Sequence, residues 1–215
     1  MADIFDEVEE DLRRARFEEF WKKYWPLMAA LAAVVILAIG GWRFYDWRQE
    51  QQSAAAGGRF EAAMRLSRTN AAEAEAQFAA IAADAPTGYR ILARFRQATE
   101  LAGRDKEAAV KAFDAIAADS AIGPVLQDVA RIRAGYLLVD TATPAEIARR
   151  VEPLAAPGLP FRHSARELLA LAAMRAGDKA AADKWLQAIQ ADQETPQGVR
   201  GRAELIAAVM AGLAK

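Results

Sequence analysis

The chain has no cysteine and a single histidine among its 215 residues. The first absence excludes disulfides, thiolate metal sites and cysteine nucleophiles, and it fits an exported domain that folds without cross-links. The second leaves little for imidazole chemistry: His163 follows Pro160, has no adjacent partner set and reads as a surface or capping residue. No GxSxG, Walker loop, HExxH or GxGxxG is present, so no nucleophile elbow, phosphate cradle or zinc helix can be assigned. No catalytic residue, metal or cofactor is expected. A surplus of charge is missing too. With 28 Lys and Arg against 29 Asp and Glu the formal net charge is −1, which leaves no basic excess to attract nucleic acid. Acidic pairs such as Glu9/Glu10 stand among basic residues and read as a solvated helix face rather than as acid–base machinery.

Charge is absent altogether from residues 24–42, between Lys22/Lys23 and Arg43. As a helix this run is roughly 28 Å long, close to the ~30 Å hydrocarbon core of a bilayer. Trp21, Trp25, Trp42 and Trp47 flank it together with Tyr24, Phe44 and Tyr45, where amphipathic rings anchor a span at the headgroup layer. Membrane lipid is therefore one expected neighbour. Arg13, Arg14, Arg16, Lys22 and Lys23 precede the run, against Arg43, Arg48 and Arg59 after it, a bias that puts the N-terminus in the cytoplasm and the C-terminal bulk across the membrane. Residues 1–23 are too long and too acidic for the leading segment of a cleaved signal peptide. Within them Ile4, Phe5, Val8, Leu12, Ala15 and Phe20 recur at helical spacing. Glu9/Arg13, Glu10/Arg14, Glu18/Lys22 and Glu19/Lys23 fall four apart with the acid leading, as in an amphipathic helix at the cytoplasmic surface.

Beyond the span, Ala, Leu, Glu, Arg and Lys dominate, and Gly and Pro punctuate segments of helical length, which predicts an all-α domain over residues 59–215. Residues 43–58 form a linker or a continuation of the helix. Gly57-Gly58 is read as a flexible joint, the alternative being a close-packing point inside a helix. The motif Phe78-Ala-Ala-Ile81-Ala-Ala-Asp84 returns as Phe113-Asp-Ala-Ile116-Ala-Ala-Asp119 and as Leu186-Gln-Ala-Ile189-Gln-Ala-Asp192, with a weaker copy at Val151-Glu-Pro-Leu154. The intervals of 35, 38 and 35 residues approach the roughly 34-residue helix-turn-helix period of tetratricopeptide repeats. Four stacked helix pairs follow, closed by a terminal helix in residues 195–213 carrying Val199, Leu205, Ile206, Val209 and Met210. Trp185, the one tryptophan away from the membrane, is expected in the core. Arg59, Arg94, Arg131 and Arg166 stand 19 or 20 residues ahead of the four motifs, at equivalent places on the first helices. They are candidates for presenting forked donors to a bound protein segment; the alternative is pairing with neighbouring acids on a solvated face.

Two stretches, Gly41-Trp42-Arg43-Phe44-Tyr45 at the end of the span and Gly177-Asp178-Lys179 with Ala181 and Trp185, resemble the ancillary SecYEG translocon subunit family, the YfgM-type proteins with one N-terminal transmembrane helix. The resemblance implies a bacterial inner-membrane protein with a periplasmic tetratricopeptide-like domain. It also implies association with the SecYEG translocon and a membrane-anchored periplasmic chaperone of the peptidyl-prolyl isomerase type, assisting emerging polypeptides. The expected function is a non-enzymatic adaptor; the alternative is a structural scaffold of another envelope complex, such as cell division or a respiratory assembly.

Overall fold

The computed structural model describes residues 3–213. The side chains of residues 3–13, 15 and 213 fall outside the described residues, and with them the tail pairs Glu9/Arg13 and Glu10/Arg14. Among the described residues there are nine α-helices, two short 3-10 turns and no strand. The chain divides into two compact units, Met1–Ala54 and Ala55–Lys215. Helix α1 (Asp3–Leu66) supplies the first unit and the opening helix of the second.

In the first unit α1 contains an uncharged stretch long and apolar enough to cross a membrane, with a mean hydropathy of 2.0 over 18 residues and none of that window buried. Aromatic residues at its two ends meet along the helix surface as tilted pairs, Trp21 with Trp25 at 5.5 Å and Phe44 with Trp47 at 5.9 Å between ring centroids. Both contacts follow from i, i+3 and i, i+4 neighbourhood on a helix.

The second unit is a run of helix pairs. The C-terminal part of α1 pairs with α2 (Ala71–Asp84), α3 (Thr87–Ala102) with α4 (Lys106–Ala117), α5 (Pro124–Leu138) with α6 (Pro144–Val151), and α7 (Arg162–Arg175) with α8 (Lys179–Ala191). Helix α9 (Gln197–Leu213) closes the run. Every second helix starts the same way. The side chains of Asn70, Asp105, Thr143 and Asp178 accept from the backbone N–H three residues on, at 3.2, 2.9, 3.2 and 2.9 Å. Each such cap satisfies a donor that the helix cannot, at a gain of about 1 kcal/mol. Gly123 and Gly158, at φ 81° and 82°, turn the chain between successive pairs, and Gly177, at φ 76°, turns it inside the fourth pair, through a conformation that a Cβ disfavours. In the third pair Pro153 removes a donor and crowds the preceding turn, so α6 stops at Val151 and continues as a 3-10 turn over Glu152–Leu154.

The repeat motif packs in register. Phe78, Phe113, Val151 and Leu186 are all buried, as are Ile81, Ile116, Leu154 and Ile189. Phe60 meets Phe78 at 5.3 Å, and one repeat later Phe95 meets Phe113 at 6.1 Å. Small residues occupy another equivalent place, Ala63, Ala98, Gly135 and Ala170, all buried. At Gly135 a Cβ would lie 2.9 Å from Leu168 Cδ1 and 3.3 Å from Val151 Cγ1, so helices α5, α6 and α7 approach too closely there for a side chain. Trp185 is half-buried and packs against the clusters on both sides of α8.

One expectation requires correction here. Gly57-Gly58 is continuous helix rather than a joint, and Gly57 is a close-packing point: a Cβ there would stand 2.7 Å from Tyr89 Oη of α3. On α9 only Val199, Ile206 and Met210 turn inward with Ala203; Leu205 and Val209 are exposed, because a closing helix has a neighbour on one side only.

Candidate functional site

The arginine ladder forms, and most of it points into its own repeat. Arg59 donates from Nη1 to Asp84 Oδ1 at 2.9 Å, and Arg94 Nη1 to Asp119 Oδ2 at 2.6 Å. Arg166 Nη1 donates to Asp192 Oδ2 at 2.9 Å and to the Ala188 carbonyl at 3.0 Å, while its Nε reaches the Ala155 carbonyl of the preceding pair at 3.0 Å. Each acceptor is the last residue of the repeat motif, at or just past the C-terminal end of a second helix. A carboxylate there opposes the helix dipole, and the guanidinium offsets it. In the third repeat Pro157 takes the aspartate's place, and Arg131 pairs with Asp128 on its own helix at 2.5 Å. All four arginines thus have an acid of their own repeat as a partner, and Arg166 is buried rather than on a solvated face.

Charge accumulates most densely at the fourth repeat. Arg162 donates from Nε to Asp192 Oδ2 at 2.6 Å, so Asp192 serves two nearly buried arginines. Arg162 foremost, with the Glu194 amide and Arg166, holds the Asp192 carboxyl well below the usual carboxylate range against the opposing effect of burial. His163 sits beside this cluster. It is buried at 8% exposure, not at the surface as its sequence position suggested, because α7 turns it onto Thr195, whose Oγ1 lies 3.1 Å from Nδ1. Burial foremost, then Arg162 and Arg166, pushes its pKa below 6.5, opposed by Asp192 and Glu194. The unfolded chain takes up the imidazole proton near pH 6.5 and the folded chain only at lower pH. This contribution to stability is therefore complete above about pH 6.5 and is lost as pH falls through the folded value. Thermal melts of the full chain in detergent between about pH 7.5 and 5.5 should show a decline that His163→Gln flattens; parallel declines in the two proteins would refute the assignment.

None of the ladder arginines lines the cavity on the first-helix side. This cavity, of about 490 Å³, opens between α3, α5 and the start of α7. Phe113 and Phe161 give it apolar walls with Val129 and Leu137, and Thr99, Ser164 and Tyr136 bring hydroxyls to it. Arg133 is the one charged side chain in the lining. Tyr136 is fixed from behind, donating to Glu167 Oε2 at 2.9 Å. Burial and the Glu167 carboxylate keep that phenol protonated above its ordinary range. These groups suit non-covalent capture of a chain segment: an apolar trough, hydroxyls and a cation. Sequence reasoning missed them. Thr99 and Tyr136 each stand five residues after a ladder arginine, so the repeat register itself marks the place. Among the described residues no cluster of His, Asp and Glu is arranged to hold a metal ion. Trp21, Trp25, Trp42 and Trp47 are all exposed in the first unit.

Residues 18–155 match the model of the tetratricopeptide repeat-like domain. The chain belongs to that family. The match takes in the apolar stretch of α1 and the first three helix pairs, and the internal register carries the same pattern on through α8. No curated protein and no solved structure matches the chain. Tetratricopeptide-like arrays are typically non-enzymatic modules for protein–protein interaction, and the groove between successive first helices has the character such a module requires.

Proposed function

We propose that this chain is a non-enzymatic adaptor of the bacterial inner membrane, held by the apolar part of α1 with its N-terminus cytoplasmic and its helix-pair domain periplasmic. The domain receives protein segments in the groove between α3, α5 and α7. Its partners are the SecYEG translocon, a membrane-anchored periplasmic chaperone and polypeptides emerging from the channel. The observation that carries the reading is the groove itself: three consecutive repeats contribute to one apolar trough with hydroxyls and a cation at its walls. The family supports protein binding, the basic residues before residue 24 support the orientation, and the resemblance at Gly41–Tyr45 and Gly177–Trp185 supports the translocon as the place of action.

Photo-crosslinking in cells tests this directly. A crosslinking residue at Thr99 or Ser164 should capture channel subunits, the chaperone or emerging chains, whereas one at Lys111, exposed on α4, should not. Capture from Lys111 alone would place binding on the second-helix face and sink the groove reading. Protease added to sealed spheroplasts should remove residues from 43 onward and spare the first 23; a protected C-terminal domain would reverse the orientation.

A further inference from the structure

We propose that the groove selects segments that combine apolar side chains with a carboxylate, and that Arg133 receives the carboxylate; this rests on the groove reading above. The repeat register isolates that guanidinium. One repeat earlier the matching arginine, Arg96, donates from Nη2 to Glu100 at 3.0 Å, four residues along the same helix, and Ser67 completes the acceptor's shell at 2.7 Å. On α5 the arginine is kept but the residue four positions on is Leu137, itself a wall of the groove. Among the described residues Arg133 has no carboxylate within ion-pair distance, and its side chain is exposed. The carboxylate behind this face, Glu167, is occupied by Tyr136 and by Arg202 Nη2 at 2.8 Å. The groove therefore carries an uncompensated positive charge beside the apolar walls of Phe113 and Phe161. A forked cation beside apolar surface favours a carboxylate whose neighbours are apolar and repels a basic segment.

The test uses the full chain in detergent micelles and three fluorescein-labelled peptides: Gly-Ser-Glu-Leu-Glu-Phe-Ser-Gly, and the same sequence with Gln or with Lys in place of both Glu residues. Anisotropy should show the Glu peptide binding about tenfold more tightly than the Gln peptide and the Lys peptide more weakly still. Arg133→Glu should invert the order, and Arg149→Glu, the same charge change at an exposed site on α6, should preserve it. Matching melting curves for the two variants would show that both fold. Equal affinity for the Glu and Gln peptides, or equal effects of the two variants, would overturn the acidic preference. Ser164→Trp, which fills the groove, separates the two levels of the reading. If it abolishes binding of equally bound Glu and Gln peptides, the groove stands and the acidic preference falls; if no peptide binds, or Ser164→Trp leaves binding unchanged, both fall.

Discussion

Truncating Phe78 to alanine should lower stability by about 3 to 5 kcal/mol, the range for deleting a fully buried aromatic side chain. Phe78 has no exposed surface, closes on Phe60 across the first pair and lies 5.6 Å below the Arg96 guanidinium of the next. Its loss opens a cavity shared by two repeats. Because each repeat leans only on its neighbours, the damage should appear as early melting of the first two pairs rather than uniform loosening of the array. Helicity followed against temperature, with hydrogen exchange to locate the melting, provides the check. Leu205→Ala, at 65% exposure on α9, serves as the contrast and should stay within about 0.5 kcal/mol of the parent. Indistinguishable curves for the two variants would mean that the repeat register is misassigned.

The second large effect concerns Glu167, buried at 2% exposure and held by Tyr136 from α5 and by Arg202 from α9. Arg202→Ala leaves that carboxylate inside the protein with one hydroxyl donor, at a loss of about 3 kcal/mol. Adding Glu167→Gln removes the charge that needed a partner, so the double variant should recover most of the stability. A double-mutant cycle on melting curves reads this coupling. Additive losses would show that Arg202 acts through packing alone.

Much of the architecture was readable because each signal was repeated. The motif at Phe78, Phe113, Val151 and Leu186 placed the second helices, and the lack of charge across residues 24–42 marked the apolar helix. What escaped depended on contacts between elements far apart in sequence. Whether Gly57 bends or packs is decided by Tyr89, thirty-two residues later, and the burial of His163 by Thr195, an equal distance on. The ladder shows the same limit. Its spacing was legible, but the Asp84 and Asp119 carboxylates that engage Arg59 and Arg94 lie 25 residues on, across a helix turn, and only the folded pair brings them together. The groove was hidden for a further reason: Thr99, Tyr136 and Leu171 hold one register position with different chemistry, so a search for recurring residues passes over the first two.

Chains built from near-copies risk assembling in the wrong order, since a helix fitting one interval almost fits the next. Phe60, Phe95 and Ile132 hold equivalent places in the first three repeats, and at the fourth the residue is Glu167. A helix bearing a carboxylate there loses two partners if it is fitted anywhere else: Tyr136 of α5 and Arg202 of α9. Tyr136 and Arg202 make its own site tolerable. The substitution acts as an address in an otherwise ambiguous string: it distinguishes α7 from the earlier first helices and ties it to α9 through Arg202.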